Sequence, residues 1–152
     1  MISPRTLTFA LAGSLALLIP VVRPAANPDE EAIRRTIGYY FEGGKAGDSS
    51  IVRKAFHPVA MMFYVRDSLV QVPIFPEYLR RVAAPRSATS GPDQTERRIA
   101  SIDITGTAAM AKLELASPTA VLTDYMSLLK INGEWTVVNK IFDRKMRAGG
   151  TR

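Results

Sequence analysis

The sequence predicts one α+β domain, with its helices first and its sheet last. Apolar residues recur at helical spacing in the first part of the chain and alternate one by one from Arg97 onward. Two dipeptides, Gly106-Thr107 and Asn132-Gly133, sit between alternating runs, where tight hairpin turns are expected. The length of 152 residues fits one domain with a modest core.

In chain order, Asn27-Pro28-Asp29-Glu30 predicts a helix start. Asn27 can cap, Pro28 suits the first helical position, and the acidic residues face the positive helix end. Ile33, Ile37, Tyr40, Phe41 and Gly44 then share one stripe. The stretch FEGGKAG, with Gly43 and Gly44, follows a helix rather than a strand. It therefore suits a helix C-cap better than a phosphate loop. A second helix is expected from Asp48, with Ile51, Val52, Ala55 and Phe56 inward, ending at His57-Pro58. Met61 to Val65 and Leu69 to Val72 read as a hairpin around Arg66-Asp67-Ser68, and Glu77 to Val82 as one or two helical turns. Residues 84–95 form a polar Pro/Gly/Ser loop. Four strands follow: Ile99 to Thr105, Ala108 to Ala116, Leu122 to Ile131 and Glu134 to Asp143. They form a four-stranded antiparallel sheet.

Ahead of the domain, Thr6 to Val22 is apolar or small and uncharged, with Arg5 before it. A secretory signal peptide fits this pattern, since the run lies at the short limit for a membrane span and Pro20 breaks it. Arg23 and Pro24 make an imperfect cleavage box, so an uncleaved N-terminal anchor stays open. The expected organisation is 1–26 signal peptide or anchor, 27–146 the domain and 147–152 a basic tail, with the protein exported to the periplasm or secreted.

Composition excludes several chemistries. There is no cysteine, hence no disulfide and no thiolate, and His57 is the single histidine, so a His-rich zinc site is ruled out. No metal or cofactor is expected. The net charge of +6 comes from scattered basic residues and a basic C-terminal end. No basic stripe is interleaved with aromatics, so neither nucleic acid nor, apart from the N-terminal segment, a membrane is expected as a partner.

The segments RRIASIDITGTAAMAKLEL and TDYMSLLKINGEWTVVNKIFDRK resemble the nuclear transport factor 2-like (SnoaL-like) superfamily, in its Putative lumazine-binding branch, over roughly residues 29–145. The resemblance implies a cone-like curved antiparallel sheet, N-terminal helices packed over its concave face, a pocket between them, and homodimers through the outer face. It does not imply lumazine as ligand, because the fold hosts enzymes, binding proteins and subunits without chemistry.

An Asn132-Gly133 turn in a regular ladder pairs Lys130 with Trp135, Leu128 with Val137, Met126 with Asn139 and Asp124 with Ile141. Alternation places these eight on one face, taken as the concave one. Lys140 and Phe142 fall on the other. Asp124 and Asn139 are then polar groups on an apolar face, bonded to each other or aimed at a ligand. The candidate ligand-binding set is Tyr40, Phe63, Asp124, Met126, Trp135 and Asn139. Tyr125, Leu129, Val138 and Phe142 are too apolar for a solvated face and form the candidate dimer surface. Two functions remain. One is an exported domain whose apolar pocket binds a small molecule or a protein without chemistry. The other is a small lyase or isomerase, dehydratase- or cyclase-like, with Asp124 and His57 as acid and base. The scarcity of polar pocket groups favours the first.

Overall fold

The computed structural model describes residues 27–85 and 91–148. The expected leader, the end of the basic tail and the middle of the polar loop lie outside them. Helix α1 (Pro28–Ala46) starts as its residues dictate: the Asn27 side-chain oxygen accepts the Asp29 N–H at 3.0 Å. It ends later than expected. The cap is Gly47, in the left-handed region at φ 71°, and its N–H donates to the Gly43 carbonyl. Gly43 and Gly44 are therefore helical, and Gly43 serves packing instead. A Cβ there would meet the Val52 backbone nitrogen at 2.6 Å, so helix α2 (Ser49–Arg53) can lie close only because that position has no side chain.

Helix α2 stops before His57-Pro58. Both belong to strand β1 (Phe56–Val65), which pairs with β2 (Leu69–Pro73) through the expected three-residue turn. Pro58 has no N–H for a ladder, and the pairing of β1 with the last strand is interrupted between Phe56 and Met61. A segment kinked at the extended Phe75 (φ −107°, ψ 126°), Ile74–Tyr78, leads into the short α3 (Leu79–Val82). Strands β3 (Glu96–Thr105), β4 (Ala108–Ala116), β5 (Ala120–Ile131) and β6 (Glu134–Met146) follow as two hairpins. Gly106 has φ 57°, and Asn132 and Gly133 have φ 52° and 84°, the positive values that tight hairpin turns require.

The six strands form one curved sheet in the order β2-β1-β6-β5-β4-β3. The four C-terminal strands are antiparallel, as expected. The N-terminal hairpin joins them by a parallel pairing of β1 with β6, so the sheet is mixed. Helix α1 covers the concave face, where Ile33 and Ile37 are fully buried with Val52, Leu113, Met126, Leu128 and Val137. Its first turn is pinned to the second hairpin. Asp29 accepts from Lys130 Nζ at 2.7 Å and from Trp135 Nε1 at 3.0 Å, and the Thr36 hydroxyl donates to the Trp135 carbonyl at 2.8 Å.

One irregularity decides the site. The β5–β6 ladder is regular from the turn to Leu128↔Val137 and then skips a residue, so that Ser127 pairs with Asn139 and Met126 with Lys140. Val138 is the extra residue of a β-bulge. Beyond it every side chain of β6 lies on the face opposite to that of a regular ladder.

Candidate functional site

The bulge corrects the expected concave face. Asn139 and Ile141 turn outward, where they pair with Met61 and Phe63 of β1. Lys140 and Phe142 turn inward. Asp124 keeps its inward position and is fully buried, but its partner is Lys140 rather than Asn139. The Lys140 ammonium lies 3.0 Å from Asp124 Oδ2, with 3% and 0% of the two side chains exposed. Tyr40, brought in by α1, joins them. Its hydroxyl donates to Asp124 Oδ2 at 2.8 Å and accepts from Lys140 Nζ at 2.7 Å. Burial, followed by the charges of Tyr78 and Asp124, raises the Tyr40 phenol well above its ordinary value, so it stays protonated. Asp124 Oδ1 is buried with no hydrogen-bond partner among the described residues.

This cluster closes the inner end of a cleft of about 1040 Å³ between the concave face and the helical segment that carries Tyr78 and Arg81. Lys140 meets the hydroxyl edge of Tyr40 there and lies 5.1 Å from the Phe142 centroid and 5.8 Å from that of Tyr78. Phe142 lies against Tyr64, with ring centroids 4.7 Å apart. Arg66, Asp67, Arg81, Asp143 and Arg144 also line the cleft. Arg66 lies over the Tyr64 ring at 5.8 Å, and Arg81 pairs with Glu77. The expected apolar pocket is thus an aromatic cleft bordered by charge.

Of the candidate ligand-binding residues, Tyr40 lines the cleft and Asp124 stands directly behind it. Met126 is core, Trp135 ties β6 to α1, and Asn139 and Phe63 face the other side of the sheet. Among the described residues no hydrogen bond or ion pair joins His57 to Asp124. His57 is the second residue of β1, partly exposed, and its Nδ1 accepts the Val59 N–H at 3.4 Å. Sequence reasoning missed Lys140, Phe142, Tyr64, Tyr78 and the three arginines. The first two were assigned to the outer face by a regular register. For Tyr64 and Tyr78 the signal was their aromatic character, which reads equally as core. Among the described residues no group of three or more His, Asp or Glu is placed to hold a metal.

Comparisons with known proteins agree with this architecture. The family model described as Putative lumazine-binding matches residues 28–143. A crystal structure of an NTF2-like protein of unknown function from Shewanella baltica is 35% identical, covering 77% of this chain and 94% of that one, with a TM-score of 0.68. A second, from Methylobacillus flagellatus, is 31% identical over 77% of this chain and 92% of that one, with a TM-score of 0.64. A putative scytalone dehydratase from Novosphingobium aromaticivorans shares the fold alone, at 12% identity and a TM-score of 0.61, over 82% of this chain and 89% of that one. No curated protein matches. With the match spanning most of the domain and two relatives above 30% identity, the chain belongs to the Putative lumazine-binding family of the nuclear transport factor 2-like superfamily.

Proposed function

We propose that this chain is a non-catalytic binding domain that holds a small aromatic-faced molecule in the Tyr64–Phe142 cleft. The observation that carries this reading is the closed state of the Asp124 carboxylate behind the cleft's inner end. Asp124 is fully buried, and its Oδ2 is taken by both Tyr40 and Lys140. A general base must come within hydrogen-bonding reach of a substrate proton, and a carboxylate so placed does not. Stacked rings with a few convergent polar groups are, by contrast, the usual form of a small-molecule site. The test is a ligand-observed NMR screen with aromatic fragments, followed by chemical-shift mapping. Fragments that compete with one another and shift Tyr64, Phe142 and Tyr78 are expected. Shifts confined to the outer sheet face, or turnover that Asp124→Asn abolishes, would refute the proposal.

The domain is also proposed to work outside the cytoplasm and as a homodimer. Export rests on the Thr6–Val22 apolar run. Mass spectrometry of protein from its own host should give a mature chain starting near Asn27; an intact Met1 terminus in a soluble cytoplasmic fraction would reject export. Among the described residues no helix is long and apolar enough to cross a membrane.

A further inference from the structure

Resting on the cleft-binding reading above, we infer that the ligand is an aromatic monoanion, a flat ring system bearing one carboxylate or an equivalent group, with its charge set on Lys140. The ammonium carries three protons. Among the described residues its one hydrogen bond goes to Tyr40 Oη at 2.7 Å, and Asp124 Oδ2 stands 3.0 Å away as its ion-pair partner. Donor capacity is left on a side chain that lines the cleft, as Asp124 does not, with 3% of it exposed.

The surroundings fix the sign of the ligand's charge. Aromatic cages hold cations on their ring faces. Here the space between Tyr78 and Phe142, at the hydroxyl edge of Tyr40, is already filled by a cation of the chain itself. An incoming organic cation would find its place taken and would meet Lys140 at close range. An anion would meet a donor. Farther out, Arg66, Arg81 and Arg144 line the cleft with Asp67 and Asp143, and with Glu77 paired to Arg81 these charges balance, so the sign rests on the donor that Lys140 presents.

The amount of charge follows from the same geometry. Asp124 already neutralises Lys140, and a single ammonium does not supply the several donors that a phosphate dianion takes up. A single carboxylate matches what one ammonium offers. The ring system of the ligand would lie along the Tyr64–Phe142 wall, with offset stacking on rings 4.7 Å apart.

The test uses three ligands of one shape on the unmodified protein near neutral pH: 2-naphthoate, 2-naphthamide and 2-naphthylmethylammonium, by isothermal titration calorimetry. The carboxylate is expected to bind at least about tenfold tighter than the amide, as one charge-assisted hydrogen bond allows, and the ammonium compound not measurably. Amide binding as tight as the carboxylate, or measurable ammonium binding, overturns the inference and leaves the cleft reading intact. Binding of none of the three defeats both. A second arm uses Asp124→Leu with Lys140→Met, which removes the two buried charges together. In that variant the carboxylate should lose its advantage over the amide, and an advantage that persists overturns the role of Lys140.

Discussion

Lys140 and Asp124 are opposite charges held 3.0 Å apart almost out of contact with water. Removing one partner of such a pair strands the other. Lys140→Met and Asp124→Leu are each expected to destabilise the fold by about 3–5 kcal/mol, and the double substitution to recover most of that loss. Urea unfolding checks this; single variants that lose under about 1 kcal/mol would mean that neither charge is as sealed as the geometry indicates. A second ion pair contributes to the acid limb of stability. Burial alone would raise the Asp93 carboxyl, but hydrogen bonds from Arg97 and Thr95 outweigh it and hold it at about 2, below the ordinary 3.8. A carboxyl depressed in the folded state stabilises fully above its unfolded value. That contribution should therefore be present above pH 3.8 and disappear as the pH falls toward about 2. Asp93→Asn should flatten the stability profile across that window and leave the profile above it parallel to the parent's.

The elements divide by how local their causes are. Helix α1 starts where Asn27-Pro28 says it must, because capping is settled within four residues. Its end was misplaced because a glycine pair inside a helix resembles a stop signal. Only the approach of α2 shows that Gly43 is there for closeness. The two glycines should therefore respond in opposite ways. Gly43→Ala drives a methyl into backbone at 2.6 Å and should cost about 1–3 kcal/mol. Gly44→Ala meets nothing within 4 Å and should gain about 0.5–1 kcal/mol by relieving helical glycine of its backbone entropy. Thermal melting of the two variants gives shifts of opposite sign if this is right. Among the strands, all four C-terminal elements were legible from alternation and turn residues. The bulge at Val138 was not, because a valine in a run of apolar residues carries no mark of being unpaired.

At the scale of the whole molecule, the outer face of the sheet keeps an apolar patch after the bulge has reassigned its members. Phe142 leaves it for the cleft, and Val138 becomes the half-buried bulge residue. Ile141, Phe63 and Met61 join Tyr125 and Leu129, with Met110 beside them. Met110 and Ile141 are 47% and 46% exposed, a degree that suits a patch awaiting a partner better than a solvated face. Sedimentation at micromolar concentration should show a dimer, and Ile141→Lys should give monomers, because a symmetric interface would bury the new charge twice. A monomeric parent protein would remove the patch from consideration as an interface between copies.

The sequence by itself determined the fold class, the order of the elements, the two C-terminal hairpins and the family, together with Asp124 and Tyr40 as inward polar groups. These follow from caps, turns and periodicity, each decided by residues near one another in the chain. The tertiary structure alone decided the parallel seating of β1 on β6 and the identity of the site. Strand pairing across eighty residues leaves no local trace. A strand's side chains alternate with a period of two, so a single extra residue reverses every assignment beyond it. That is how Lys140 came to stand where Asn139 was expected, and how a pocket read as apolar acquired a buried cation.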